Sequence, residues 1–322
     1  MKNFFLITLL FFIIKSVSFA YLPEKLLIDE KRLSILEKNI LRYSSDANLK
    51  SNFLLIQDSK VLRISDENSE VKLGKSSASI IAFLAKIMED KNDKKLLNKR
   101  AYELSHLFRL EKSDTLLSDL LSSTAGIAKN TDELLPNDAT YQDLFDVIFQ
   151  LSRSATTKSD FVYSKSSVSA GAYILAYSEF KSEKNLYNSY EKIVEKYLKE
   201  ILPSIKLSAI ESEKKILLPA TNITLSLKDL AVWLEKELSF FSPENRYKRS
   251  VKNGWVSTKL GNSFLIMAGD SFDNQTHLLV MIPSHKVIFA IVIESNSKEA
   301  SSLTKNLLEN LTFMLEELKL SN

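Results

Sequence analysis

The residues best placed to do chemistry are the serines of Lys75-Ser76-Ser77-Ala78-Ser79, inside the stretch Val71 to Asp90, VKLGKSSASIIAFLAKIMED. An extended Val-Lys-Leu-Gly lead-in gives way to a polar turn, after which Ile80, Ile81, Phe83, Leu84, Ile87 and Met88 recur at helical spacing. A hydroxyl at such a turn can serve as a nucleophile. The start of the helix offers backbone N–H groups and a favourable field for developing negative charge. Thiolate chemistry is excluded, because the chain has no Cys, and so is a lipid-anchored cysteine. His106, His277 and His285 are scattered, without metal-ligand spacing, and read as surface or packing residues. No metal and no cofactor is expected.

The elements that must position this turn follow from periodicity. Pro23 to Ser44 reads as an amphipathic helix with Leu26, Leu27, Leu33, Leu36, Ile40 and Leu41 on one face. Asn52 to Ser65 reads as a hairpin, Phe53–Ile56 and Val61–Ile64 around a turn at Asp58-Ser59-Lys60. From Lys91 to about Leu202 the pattern is mainly helical, with a solvated charge run at Lys91–Lys99 and loops near Ser122–Gly126, Leu135–Ala139 and Thr156–Phe161. Helices are expected over Ser167–Glu179 and Asn185–Leu202, then an extended run Leu217–Leu225 and a helix Leu227–Leu238 capped by Ser226. Strand-like runs follow at Gly254–Lys259, Ser263–Ala268, Thr276–Ile282 and Val287–Glu294, before a terminal amphipathic helix, Lys298–Leu320.

Strands and helices do not alternate in regular units, so a doubly wound parallel sheet is disfavoured. The expected class is α+β. One antiparallel sheet comes from about 21–74 and 205–322, with the terminal helices on one face and the mainly helical region of about 75–204 on the other.

Residues 1–20, MKNFFLITLLFFIIKSVSFA, carry the marks of a secretory signal: Lys2, the apolar run Phe4–Ile14 and the small-x-small end Ser18-Phe19-Ala20. The mature chain is then 21–322, exported, with no membrane span. Loss of Lys2 and Lys15 lowers the 43 basic residues to 41 against 40 acidic, which argues against a nucleic-acid partner. Asn222, Asn274 and Asn310 open N-x-Thr triplets, which matter only in a glycosylating pathway.

Taken together in order, several short segments resemble the serine β-lactamase and penicillin-binding-protein superfamily, in particular its class C β-lactamase-related branch. VKLGKSSAS resembles the segment carrying Ser-x-x-Lys, and Asp119–Ile127 (DLLSSTAGI) resembles the "LLsHTSGl" segment. Phe161-Val-Tyr-Ser-Lys165 resembles the "Y-S-N" segment, and Thr224–Trp233 is similar to the "S-a-x-D-L-a-x-W" helix. Asn253-Gly-Trp255 resembles the "G-W" pair before a strand. Leu265–Gly269 with His277–Pro283 resembles the "H/K-x-G" strand and hairpin. Four of the six Gly, at 74, 126, 254 and 269, fall in these segments.

The resemblance implies a Ser nucleophile with a Lys one turn later, a Tyr that shuttles the proton, and a strand whose backbone helps form the oxyanion hole. Here Lys75 falls at the nucleophile position, Ala78 at the Lys position, Lys165 where Asn is expected, and Met267-Ala268-Gly269 keeps only the Gly. Of the side chains that do chemistry, Tyr163 alone is kept. Other Ser-x-x-Lys matches, such as Ser69–Lys72, are those expected by chance.

Three readings follow. The first is a non-hydrolytic member whose cleft binds a peptidoglycan stem peptide or another small acyl or peptide ligand through Lys75, Lys165, Tyr163 and Gly269. On this reading the two ammonium groups converge on one cleft as an anion site. The second is an active serine hydrolase using Ser76 or Ser77 with Lys165 and Tyr163. The third, if the resemblance fails, is an exported, mainly helical interaction protein. A substantial strand content separates it from the other two.

Overall fold

The structure is a computed structural model that describes residues 28–109, 114–127, 131–152, 161–208, 210, 213–241, 250–260 and 263–320. The expected leader at 1–20 and the loop near Thr156 lie outside these residues. The first helix, α1 (Glu30–Asp46), starts where Asp29 accepts a hydrogen bond from the Arg32 N–H at 2.8 Å, and Leu33, Leu36 and Ile40 are buried along it. Leu41, expected on that face, is 64% exposed. At 100° per residue it lies a step round from Ile40, on the solvent side.

The hairpin β1 (Ser51–Gln57) and β2 (Lys60–Ile64) follows as expected. A short strand β3 (Glu70–Lys72) leads through a 3₁₀ turn, Gly74–Ser76, into α2 (Ser77–Asn92). The middle of the chain holds short helical turns, including Leu117–Leu121 and Thr131–Leu134, then α3 (Tyr141–Ser152), α4 (Lys165–Phe180) and α5 (Leu186–Leu198). Within the expected charge run, Leu96 and Leu97 turn inward. Next come β4 (Lys206–Leu207), β5 (Ile223–Ser226) and α6 (Leu227–Ser239), whose cap Ser226 accepts from the Asp229 N–H at 3.1 Å. The extended run expected over Leu217–Leu225 is a 3₁₀ turn over Lys215–Ala220, and only its end is strand. Pro219 lies inside the turn, where it fixes φ and offers no N–H to a ladder.

The chain ends with β6 (Ser250–Lys252), β7 (Trp255–Leu260), β8 (Ser263–Phe272), β9 (Gln275–Ile282), β10 (Val287–Ile293) and α7 (Lys298–Leu320). The hairpin and the late strands form one antiparallel sheet of seven, ordered β2-β1-β10-β9-β8-β7-β6. A second sheet, β3-β5-β4, was not expected; it ties the lead-in of α2 to the start of α6.

Alternation along the central strands divides the core. Leu55, Val280, Phe289 and Ile291 face α1 and α7, whose Ala300, Leu303 and Leu307 are buried there. Leu54, Ile56, Met281 and Ile288 face the helical region. On that side Ser77 to Ala85 of α2 and Ser166 to Ala176 of α4 are buried all round, as central helices are. Trp233 and Trp255 stack at 5.5 Å between centroids in the same core. Asn222 of the first glycosylation triplet is buried. Among the described residues, no helix is long and apolar enough to cross a membrane.

Candidate functional site

A cavity of about 250 Å³ opens between the turn that leads into α2, the loop after Leu121 and strands β7 and β8 of the large sheet. Lys75, Ser76 and Ala78 line it from the first, Ser122 and Ser123 from the second, and Gly254, Val256, Ala268 and Gly269 from the third. Phe161 and Tyr163, ahead of α4, close it. The motif segments around Lys75, Ser122, Tyr163, Gly254 and Gly269 thus meet at one place, while Thr224–Trp233 does not line it.

Two glycines let the walls approach. Gly74 has φ +46°, and a Cβ there would stand 2.4 Å from Asp270 Oδ2 and 2.8 Å from Phe272 Cβ. Gly254 has φ +77°, and its Cβ would meet Ser79 N and Oγ at 2.6 Å. The 3₁₀ turn is therefore pressed against β8, and the β6–β7 turn against the first turn of α2.

Each candidate side chain has a partner inside the protein. The Lys75 N–H donates to Asp270 Oδ2 at 2.8 Å, and its ammonium lies 3.4 Å from Asp270 Oδ1 and 5.6 Å from the centroid of the Tyr163 ring. Asp270 Oδ1 also accepts from the Ser271 N–H at 3.0 Å. Lys165, which does not line the cavity, is ion-paired with Glu213. The two ammonium groups expected to stand uncompensated in the cleft are each held by a carboxylate. Those carboxylates lie outside the motifs, so their distance along the chain hid them.

Tyr163 donates its hydroxyl to the Ala220 carbonyl at 3.1 Å. Burial of that end of the residue, reinforced by the negative charges of Asp270, Asp132 and Glu213, pushes the phenol pKa well above 10. Tyr163 is thus a fixed, protonated donor. Ser77 is fully buried, and its Oγ accepts from the Ile223 N–H at 3.4 Å, away from the cavity.

Ser76 is the one expected nucleophile that lines the cavity, and its Oγ lies 2.9 Å from His277 Nε2. His277 sits on β9 directly across from Asp270. Burial lowers its pKa to about 4, so the ring is neutral near pH 7. Its Nδ1 has no partner among the described residues. Which of Nε2 and the Ser76 hydroxyl donates is set by the imidazole tautomer. With its pKa near 4, the ring is a weak base toward the Ser76 hydroxyl. Gly269 lines the cavity, and a Cβ there would come within 2.8 Å of the His277 carbonyl oxygen.

Three contributors are not among the expected site residues: the sequence does not single out Asp270 or Glu213, and His277 reads there as a surface or packing residue. The tight Asp273-Asn274 turn fixes the β8–β9 register, pairing Phe272 with Gln275 and Asp270 with His277, and counting back from that turn would have found two of the three. Among the described residues, no three His, Cys, Asp or Glu gather into a metal site.

No protein-family model matches the sequence, and no curated protein matches it. Solved structures match it closely in shape. A class C β-lactamase in complex with cefoxitin aligns at TM-score 0.65 and 14% identity, over 90% of this chain and 100% of that one. The β-lactamase/D-alanine carboxypeptidase from Pseudomonas syringae aligns at 0.64 and 13%, over 85% and 99%. D-amino acid amidase from Ochrobactrum anthropi SV3, complexed with D-phenylalanine, aligns at 0.62 and 11%, over 88% and 99%. With the sheet order and the meeting of those motif segments at one cavity, these alignments show that the chain has the fold of the serine β-lactamases and penicillin-binding-protein homologues.

Proposed function

We propose that this is an exported, non-hydrolytic protein of the β-lactamase fold whose cleft binds a small acyl or peptide ligand, with a cell-wall stem peptide as the leading class. One observation carries the reading. At the position that the resemblance assigns to the nucleophile stands Lys75, and its backbone N–H, the group that would steady an oxyanion, is taken by the Asp270 carboxylate. A carboxylate there opposes the negative charge that acyl transfer must develop. Ser77 faces away from the cavity, and the imidazole beside Ser76 is a weak base, its pKa lowered to about 4 by burial. The ligand class is suggested by three structural neighbours, one bound to cefoxitin, one named a D-alanine carboxypeptidase and one bound to D-phenylalanine.

The test is covalent labelling. Protein treated with a fluorescent penicillin, and separately with a fluorophosphonate, is expected to keep its unmodified intact mass. An adduct mapped to Ser76 or Ser77 would overturn the reading in favour of a serine hydrolase using Tyr163 and Lys165.

A further inference from the structure

The Asp270 carboxylate is held as a bound anion is held. Oδ2 takes the Lys75 N–H, while Oδ1 takes the Ser271 N–H and faces the Lys75 ammonium. The Asp270 side chain is 7% exposed and that of Lys75 53%, so the ammonium contact is screened by solvent and the N–H contacts fix the carboxylate's position. The turn is shaped around it, since any side chain at Gly74 would collide with Oδ2. The cavity begins beside this pair, at Lys75 and at Gly269, the residue before Asp270 on β8.

We propose that the Lys75 turn is a carboxylate-binding site that the chain keeps filled with its own Asp270, so that the cleft selects uncharged amide or ester ligands over free carboxylates. An incoming carboxylate must either displace Asp270 from its donors or settle beside a like charge, and both routes are unfavourable. A neutral acyl or peptide group meets neither obstacle. It can use the Ser122 and Ser123 side of the cavity and the apolar wall of Leu121, Phe161 and Val256. The selectivity rests on the ligand-binding function proposed above; the anion site itself does not.

Acetate is the probe for the site. In ¹⁵N-labelled protein titrated with sodium acetate against sodium chloride of equal ionic strength, the Lys75 amide resonance of the wild type is expected to show no saturable shift. Asp270→Ala is expected to show a saturable one, with acetate bound at least about tenfold more tightly. Asp270→Ser keeps a polar side chain on the strand, is expected to behave alike, and serves if the alanine variant does not fold. A saturable shift of equal affinity in the wild type, or none in either variant, overturns the site. A second titration, with N-acetyl-D-alanyl-D-alanine and its C-terminal amide, reads the selectivity. The wild type is expected to prefer the amide, and equal or tighter binding of the acid overturns that part. Binding of neither peptide refutes the proposed ligand-binding function, and the acetate result still decides the site.

Discussion

Replacing Lys86 by Met tests how the core beneath the cleft is held together. Lys86 leaves α2 and meets Glu237 of α6, with Nζ 3.1 Å from Oε2 and the ammonium 4.1 Å over the Phe240 ring. The Glu237 side chain is 1% exposed and that of Lys86 15%. Burial raises the Glu237 pKa above its ordinary 4.5, and the Lys86 ammonium opposes that rise. Without Lys86 the carboxylate loses its countercharge. Keeping it ionised and unpaired would cost about 3–5 kcal/mol. Taking up a proton at pH 7 costs about 3 kcal/mol, the price of protonating a group whose unfolded pKa is near 4.5. Protonation is the cheaper route, and its cost falls to about 1 kcal/mol at pH 5. In the variant the folded pKa lies above the unfolded one. The penalty is therefore absent well below pH 4.5 and grows as pH rises toward the folded value. Urea unfolding at pH 5 and pH 7 measures it. A loss of the same size at both pH values, or a Lys86→Met/Glu237→Gln double variant no more stable than Lys86→Met alone, would refute the reasoning.

Two further substitutions probe the cavity walls. Gly254→Ala must place a Cβ at φ +77° against the backbone of Ala78 and Ser79, which cannot retreat without moving α2. A loss of about 2–4 kcal/mol is expected in thermal unfolding, and a variant that melts like the wild type would show that the β6–β7 turn is not pressed on the helix. His277, with its pKa held near 4, resists a proton that the unfolded chain accepts below about 6.5, so the wild type loses stability as pH falls through that window. The loss by pH 4.5 is about 2–3 kcal/mol. His277→Asn removes this component, and the stability difference between the two proteins should narrow on acidification; a difference that stays constant or widens would place the titration elsewhere.

The elements legible in the sequence are those whose period is long and whose burial is one-sided or complete. Lys298–Leu320 is helical over the span its amphipathic pattern gives, and the Val287–Ile293 run is a central strand buried on both faces. The β3-β5-β4 sheet was not legible, because strands of two to four residues carry no period. Helix ends drifted where the last turn was a loop: the helix expected to reach Leu202 stops at Leu198. For the site, position was readable and electrostatics was not. Gly74, Tyr163, Gly254 and Gly269 marked where the walls would meet. The partners of Lys75 and Lys165 lie 195 and 48 residues away in sequence, and no local pattern connects them.

That separation bears on how a cleft of this fold can be used. A hydrolytic site needs polar groups held in place yet unsatisfied toward the reacting atoms, so that their strongest interactions form in the transition state. Around this cavity several polar groups face one another, while His277 Nδ1, Ser79 Oγ and Asn253 Oδ1 are buried without a partner among the described residues. The Lys75 N–H and ammonium meet Asp270, the Tyr163 hydroxyl meets Ala220, Ser76 meets His277, and Lys165 meets Glu213. Such pairs fix the walls and leave shape and apolar surface to recognise what enters, with Ser122 and Ser123, whose Oγ atoms already accept from the Asn253 and Ser164 N–H groups, offering their O–H donors. On the proposed non-hydrolytic reading, Lys75→Ser alone is not expected to give hydrolysis, because Asp270 would still hold the N–H at that position. Lys75→Ser combined with Asp270→Ser and Ala78→Lys would supply a Ser, a Lys one turn after it and a vacated N–H together, at the positions the resemblance assigns.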